Sequence, residues 1–282
     1  MKAIHRILLP TDFSKVAQAA FRFALLYAAE KKASIKILHV VIPEYEALDL
    51  PVVAAQATKE RVEAARIAMD SFIKYGITQV ETTHQLTDIP LVSSEIEIGG
   101  VSETIDTIAR KDDCDMVIMG TREEHTTFDH MFGSISSNVM ANVPCDVMIV
   151  PPDSQESKIK NIAFASDLKT TDPYNIWKAA QLLEPFHPII HCIHVQDSKN
   201  KNEMDMTEIR DFFENRAPSL QMQFKEIDGN SVSDALNDYI DTFDIDMLVM
   251  PSPQRNLIER VFHKSMTRKM SLACTIPLLV VR

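Results

Sequence analysis

A glycine followed by a serine at a helix start turns backbone N–H groups and the positive end of the helix dipole toward a phosphate. The segment FGSIS (Phe132–Ser136) has that form, with Gly133 before a predicted helix, Ser134 as its N-cap, and Ile135 and Ser136 in its first turn. Three more groups stand at the ends of short apolar runs: Pro10, Thr11 and Asp12 after Ile7–Leu9, Val41 at the end of Ile35–Val41, and Met119, Gly120, Thr121 and Arg122 at and after the end of Met116–Met119. If those runs are parallel strands, the groups converge on one crevice, because ligands of open α/β sheets sit beyond the carboxyl ends of the strands. Taken singly the signals are weak. A Gly-Ser pair more often only caps a helix, and Asp12 fits a turn as well as a ligand contact.

Other constellations carry less. HCIH (His191–His194) has two imidazoles, but on a strand positions i and i+3 point to opposite faces, which favours structural roles over metal binding. His125 and His130 lie between Gly120 and Gly133 and read as solvent-facing. No GxSxG elbow, GxxxxGK[ST] loop or HExxH pair occurs, and no general base or nucleophile for rapid turnover is identifiable. Cys114, Cys145, Cys192 and Cys274 show no CxxC spacing and read as reduced, buried thiols.

The elements that must position these residues emerge from an internal repeat. RILLPTDFS (Arg6–Ser14) matches NIAFASDLK (Asn161–Lys169), with Asp12 on Asp167 at an offset of 155, and the same offset lays KILHVV (Lys36–Val41) on HCIHVQ (His191–Gln196), with His39 on His194. VSETIDTIARKDDCDMVIMG (Val101–Gly120) pairs with VSDALNDYIDTFDIDMLVMP (Val232–Pro251) at an offset of 131, with Asp115 on Asp246. The drop in offset gives the first copy about 24 extra residues, around Pro43–Pro51 and Thr78–Pro90, where a hairpin and an irregular flap are both open. The reading is two tandem copies, 1–152 and 158–282, joined by PPDSQES (Pro151–Ser157).

Ile7–Leu9, Ile35–Val41, Met116–Met119 and Val147–Val150 are short apolar runs, the signature of strands buried on both faces of a parallel sheet. Helical spacing predicts helices over Lys15–Lys31, Lys59–Tyr75 and Val101–Lys111, and in the second copy over Pro173–Pro185, Glu203–Arg216, Val232–Phe243 and Arg255–Ala273. This alternation predicts an α/β fold with a doubly wound parallel sheet in each copy.

The 282 residues are enough for two cores, and 45% hydrophobic with 24% charged residues excludes disordered or collagen-like chains. Forty acidic against 29 basic side chains give a formal charge of -11, which argues against nucleic acid or an anionic membrane as a bulk partner. The apolar run of the N-terminus stops at Pro10, too early for a signal-peptide core, and no run approaches the roughly 18 apolar residues of a membrane helix. A soluble, cytoplasmic protein is expected.

PTDFS after the first strand, HVV closing the second, DMVIMGTR at the fourth, GSIS before PCDVMIV, and the tandem arrangement together resemble the universal stress protein family over nearly the whole chain. The resemblance implies in each copy a five-stranded parallel sheet flanked by helices, of the adenine nucleotide α-hydrolase-like type. It also implies ATP or another adenine nucleotide, with Mg as a candidate companion, in the first copy. Nucleotide-binding members carry Gly-x2-Gly-x9-Gly-Ser/Thr after the fourth strand. Gly120 matches the first glycine, Gly133 the third, Ser134 the hydroxyl residue and Ser136 the next one. By the same resemblance Asp12 would bind adenine or ribose, Val41 would back the adenine, Pro10 and Thr11 would wall it, and Arg122 would reach a phosphate.

The sequence departs from that pattern at the middle glycine, which is Glu123, followed by Glu124. A side chain there obstructs close backbone approach, and two carboxylates repel a triphosphate. In the second copy Asp167 remains, but Pro251 and Pro253 replace the glycine-rich start and Lys264 stands where the first has Gly133, so no ATP binding in the family manner is expected there. Two functions follow: a nucleotide-responsive regulator with at most slow ATPase or autophosphorylation activity at Ser134 or Ser136, and an interaction protein without nucleotide. A protein partner or a homodimer is a candidate, and the apolar final strands CDVMIV and LLVV could pair edge to edge either between the two copies or between chains.

Overall fold

The structure, a computed structural model, describes residues 4–43, 51–86, 88–121, 134–152, 154, 159–196, 202–229, 231–252 and 276–282. The chain divides into two compact units, with Pro152 the last residue of the first. The first contains β1 (Arg6–Pro10), α1 (Lys15–Lys31), β2 (Ser34–Val41), α2 (Pro51–His84), β3 (Val92–Ile98), α3 (Val101–Lys111), β4 (Met116–Gly120), α4 (Ser134–Asn142) and β5 (Asp146–Val150). Its strands lie in the order β3-β2-β1-β4-β5, all parallel.

The second unit repeats the plan with β6 (Asn161–Ala165), α5 (Asp172–Leu182), β7 (Ile189–Gln196), α6 (Met206–Arg216), β8 (Met222–Asp228), α7 (Val232–Thr242), β9 (Met247–Pro251) and β10 (Leu278–Val281). Its order is β8-β7-β6-β9-β10, again parallel. The mixed α/β fold with parallel sheets is the one expected. The helix expected over Arg255–Ala273 lies outside the described residues.

The anchors of the repeat are joined physically within each unit. One carboxylate oxygen of Asp115 accepts the backbone N–H groups of His5 and Arg6 at 2.8 and 3.0 Å, and Asp246 does the same for Lys160 and Asn161 at 2.8 and 2.9 Å. These acids tie the entry of each first strand to the entry of its neighbour, satisfying amides that start the strand without a ladder partner.

Residues 44–50 lie outside the described residues; over Thr78–His84 the extra residues of the first copy form neither a hairpin nor a flap. They lengthen a helix: α2 has 34 residues where α6 has 11. The buried residues Ala65, Met69, Phe72, Gly76 and Val80 recur at helical spacing well past Tyr75, so the apolar stripe carries the helix on. Gly76 sits where α2 crosses α1, and a methyl group there would collide with the Phe21 ring. Gln18 of α1 fixes the same crossing by donating from Nε2 to the Phe72 carbonyl at 3.0 Å.

Two boundaries differ in the second unit. α6 begins at Met206 rather than Glu203, because Asp205 and Glu208 form a capping box that sets the first turn. The stretch Pro173–Pro185 divides into α5 and a 3-10 turn at Glu184–Phe186, since Pro185 has no N–H to continue an α-helix.

Cys114, Cys145 and Cys192 are buried and in no disulfide, and burial pushes the Cys114 thiol up to about 11. Cys274 lies outside the described residues. Among those residues no helix is long and apolar enough to cross a membrane.

Candidate functional site

In the first unit the chain winds from β1 to β2 and β3 on one side and then crosses to β4 and β5 on the other. β1 and β4 therefore flank the switch point, where diverging connections leave a crevice at the carboxyl ends of the strands. Pro10, Thr11 and Asp12 stand at that end of β1, Val41 at that of β2, and Met119 and Gly120 at that of β4. The fold thus brings these six together.

The turn after β1 is tightly built. Thr11 is buried; its N–H donates to the Leu38 carbonyl at 2.8 Å and its hydroxyl accepts the Phe13 N–H at 2.9 Å. Asp12 is exposed, and one carboxylate oxygen accepts the Ser14 N–H at 3.0 Å. Ser14 then caps α1 by accepting the Ala17 N–H at 3.2 Å. Between them Phe13 takes a φ of 66°, in the left-handed region.

Val41 is buried, and its carbonyl accepts the Gly99 N–H at 3.1 Å. Gly120 has a packing reason to be glycine. A Cβ there would lie 2.7 Å from Val16 Cγ1 and 2.9 Å from the Val16 carbonyl oxygen, so the end of β4 can approach the start of α1 only without a side chain. α4 begins at Ser134; Ser134 and Ile135 are exposed and Ser136 is buried. Arg122, Glu123, Glu124, His125, His130 and Gly133 lie outside the described residues.

Sequence reasoning missed the aromatic support of this turn. His39 stacks on Phe13, Phe13 meets Phe72 edge-on at 5.8 Å, and Phe72 stacks on Phe21 at 5.3 Å. The signal was the alignment of His39 with His194: each places Nδ1 against the carbonyl after the first strand of its unit, Thr11 at 2.8 Å and Ser166 at 2.9 Å.

In the second unit Ser166 takes the place of Thr11, its hydroxyl accepting the Leu168 N–H at 3.0 Å while Leu168 holds a φ of 53°. Ser166 also donates to Asp172 at 2.5 Å. Asp172 is almost wholly buried, and this burial raises its pKa against the opposing effect of its hydrogen bonds. His191 and His194, the pair of HCIH, are both buried, His191 against Tyr239 Oη at 2.9 Å. Pro253 and the segment 263–267 lie outside the described residues.

The model of the universal stress protein family matches residues 3–151 and 158–282. Among curated proteins, universal stress protein MJ0577 of Methanocaldococcus jannaschii is 24% identical over 151 residues, covering 51% of this chain and 93% of its own length. Among solved structures, a universal stress protein from Archaeoglobus fulgidus covers 98% of this chain and 96% of its own, with 16% identity and a TM-score of 0.71. A functionally unknown protein from Pseudomonas aeruginosa covers 99% and 92%, with 12% identity and a TM-score of 0.54. At these identities the two structures speak for the fold.

Proposed function

The chain belongs to the universal stress protein family through both of its halves, and from that premise we propose that it is a cytoplasmic stress-response protein whose first domain, residues 1–152, binds an adenine nucleotide, ATP or AMP. The second domain, residues 158–282, takes no ATP in the family manner and acts as its packing or sensing partner. The observation that supports the reading is the switch point between the paired strands β1 and β4, with an exposed Asp12 after the end of β1 and Gly120 at the end of β4.

In this reading Asp12 accepts from the ribose or adenine, Val41 backs the base, Pro10, Thr11 and Met119 line it, and Gly120, Arg122, Gly133, Ser134, Ile135 and Ser136 surround the phosphates. The start of α4 supplies N–H donors there, so one nucleotide can be held despite the net negative charge. Mg would accompany a triphosphate. The nucleotide acts through occupancy, changing the protein's choice of partner or its assembly with a second copy. Any slow self-phosphorylation falls on Ser134 before Ser136, since the first is exposed and the second buried.

A second reading, an interaction protein without nucleotide, is favoured by Glu123 and Glu124 where the family pattern has a glycine. Titration of ATP and AMP into the wild type and Asp12→Ala separates the two.

A further inference from the structure

We propose that His39 is a positioning residue of the nucleotide site: it fixes the backbone on both sides of Asp12 and so sets where the Asp12 carboxylate meets its ligand. The role presupposes an adenine nucleotide against Asp12, as proposed above. On the near side of Asp12, His39 Nδ1 donates to the Thr11 carbonyl at 2.8 Å. That carbonyl and the Asp12 N–H share one peptide plane, so the bond fixes the plane from which Asp12 departs. On the far side the imidazole stacks on Phe13, which Phe72 of α2 meets edge-on at 5.8 Å. Phe13 holds a left-handed φ of 66°, which a non-glycine residue keeps only where its surroundings over-determine it. The Asp12 carboxylate then accepts the Ser14 N–H at 3.0 Å, a contact that depends on the shape of this turn.

The second unit shows which part of the arrangement makes the turn and which part the first unit adds. His194 Nδ1 donates to the Ser166 carbonyl at 2.9 Å, and Leu168 holds a φ of 53°. The turn hydroxyl recurs as well: Thr11 Oγ1 accepts the Phe13 N–H at 2.9 Å, and Ser166 Oγ accepts the Leu168 N–H at 3.0 Å. The imidazole–carbonyl bond is therefore common to both units. The ring stack belongs to the first, because Leu168 stands where Phe13 does. His194 is buried, whereas His39 is partly exposed beside an exposed Asp12. An imidazole serves both contacts, with a flat face for Phe13 and an N–H on its edge for the carbonyl.

Two variants divide those contacts: His39→Phe keeps a ring and loses the donor, and His39→Asn keeps a donor near Nδ1 and loses the ring. Without ligand, amide exchange followed by NMR on the full chain should be about three- to tenfold faster at Ser14 in His39→Phe, since the acceptor of that amide is the Asp12 carboxylate. Titration of ATP and of AMP should give about three- to tenfold weaker binding in both variants than in the wild type. Added to Asp12→Ala, His39→Phe should cost less than about twofold more, because the two residues act through one contact. Wild-type Ser14 exchange in His39→Phe, wild-type affinity in both variants, or losses that multiply in the double variant would overturn the positioning role and leave Asp12 as the nucleotide contact. Equal affinity in wild type and Asp12→Ala, or a wild type that binds neither nucleotide, would instead overturn the Asp12 reading and this role with it.

Discussion

The imidazole of His39 stacks on the ring of Phe13 with centroids 4.4 Å apart and planes 25° from parallel. Its Nδ1, which must carry the proton to donate to a carbonyl, lies 2.8 Å from the Thr11 oxygen. Together these contacts hold a turn whose Phe13 φ of 66° costs a non-glycine residue about 1 kcal/mol or more. His39→Ala is expected to lower stability by about 1–2 kcal/mol, from one stacked pair and one backbone hydrogen bond. Urea unfolding should show a lower midpoint at unchanged slope; an unmoved midpoint would mean the turn holds itself.

The crossing of α1 and α2 sets helix propensity against packing. In an open helix Gly76→Ala would gain about 1 kcal/mol. Here the new methyl meets the fully buried Phe21 ring and lies 3.2 Å from Gln18 Oε1. The expected net result is a loss of about 1–3 kcal/mol, seen as a lower Tm on calorimetry. A raised Tm would show that the ring can move aside.

Two buried groups of the second unit give opposite pH responses. Burial lowers the pKa of His191 from 6.5, so as pH falls through that value the unfolded chain takes up its proton first and stability is lost. Burial raises the carboxyl of Asp172 from 3.8, so as pH rises through that value the unfolded chain releases its proton first and stability is again lost, until the folded carboxyl ionises. His191→Phe should flatten the acid-side loss below pH 6.5, and Asp172→Asn should gain stability over wild type at neutral pH but little near pH 3. Urea midpoints across this range test both. A wild-type slope retained below pH 6.5 in His191→Phe would exclude that imidazole as the source.

Where sequence reading succeeded, periodicity and packing agree. α1 and α3 run over Lys15–Lys31 and Val101–Lys111 as their apolar spacing predicts. β1, β4 and β5 are apolar runs because both faces are covered, whereas β2 sets the partly exposed Lys36 and His39 among its buried apolar residues. β3 and β8, VSSEIEI and MQFKEID, escape the same test: they lie at sheet edges, where polar residues alternate with partly buried ones, and no uninterrupted apolar run marks them. The strand ends were legible at Pro10, Val41 and Gly120, which close β1, β2 and β4, with Asp12 just beyond the first. The left-handed Phe13 and Leu168 were not, since no glycine or asparagine advertises the conformation and its support comes from residues distant in the chain. Glu203 looked like helix because the charged pattern of α6 continues back through it. Its true neighbours, Lys169 and Thr170, are more than 30 residues away.

The central claim is that an adenine nucleotide binds in the first domain against Asp12. Isothermal titration of ATP and of AMP into the wild type and Asp12→Ala tests it most directly. The account predicts a binding heat with a single site in the wild type for at least one of the two nucleotides, and affinity at least about tenfold weaker in the variant, the loss expected for a hydrogen bond to a charged group. The absence of binding heat for both nucleotides in the wild type, or equal affinity in the two proteins, would contradict it.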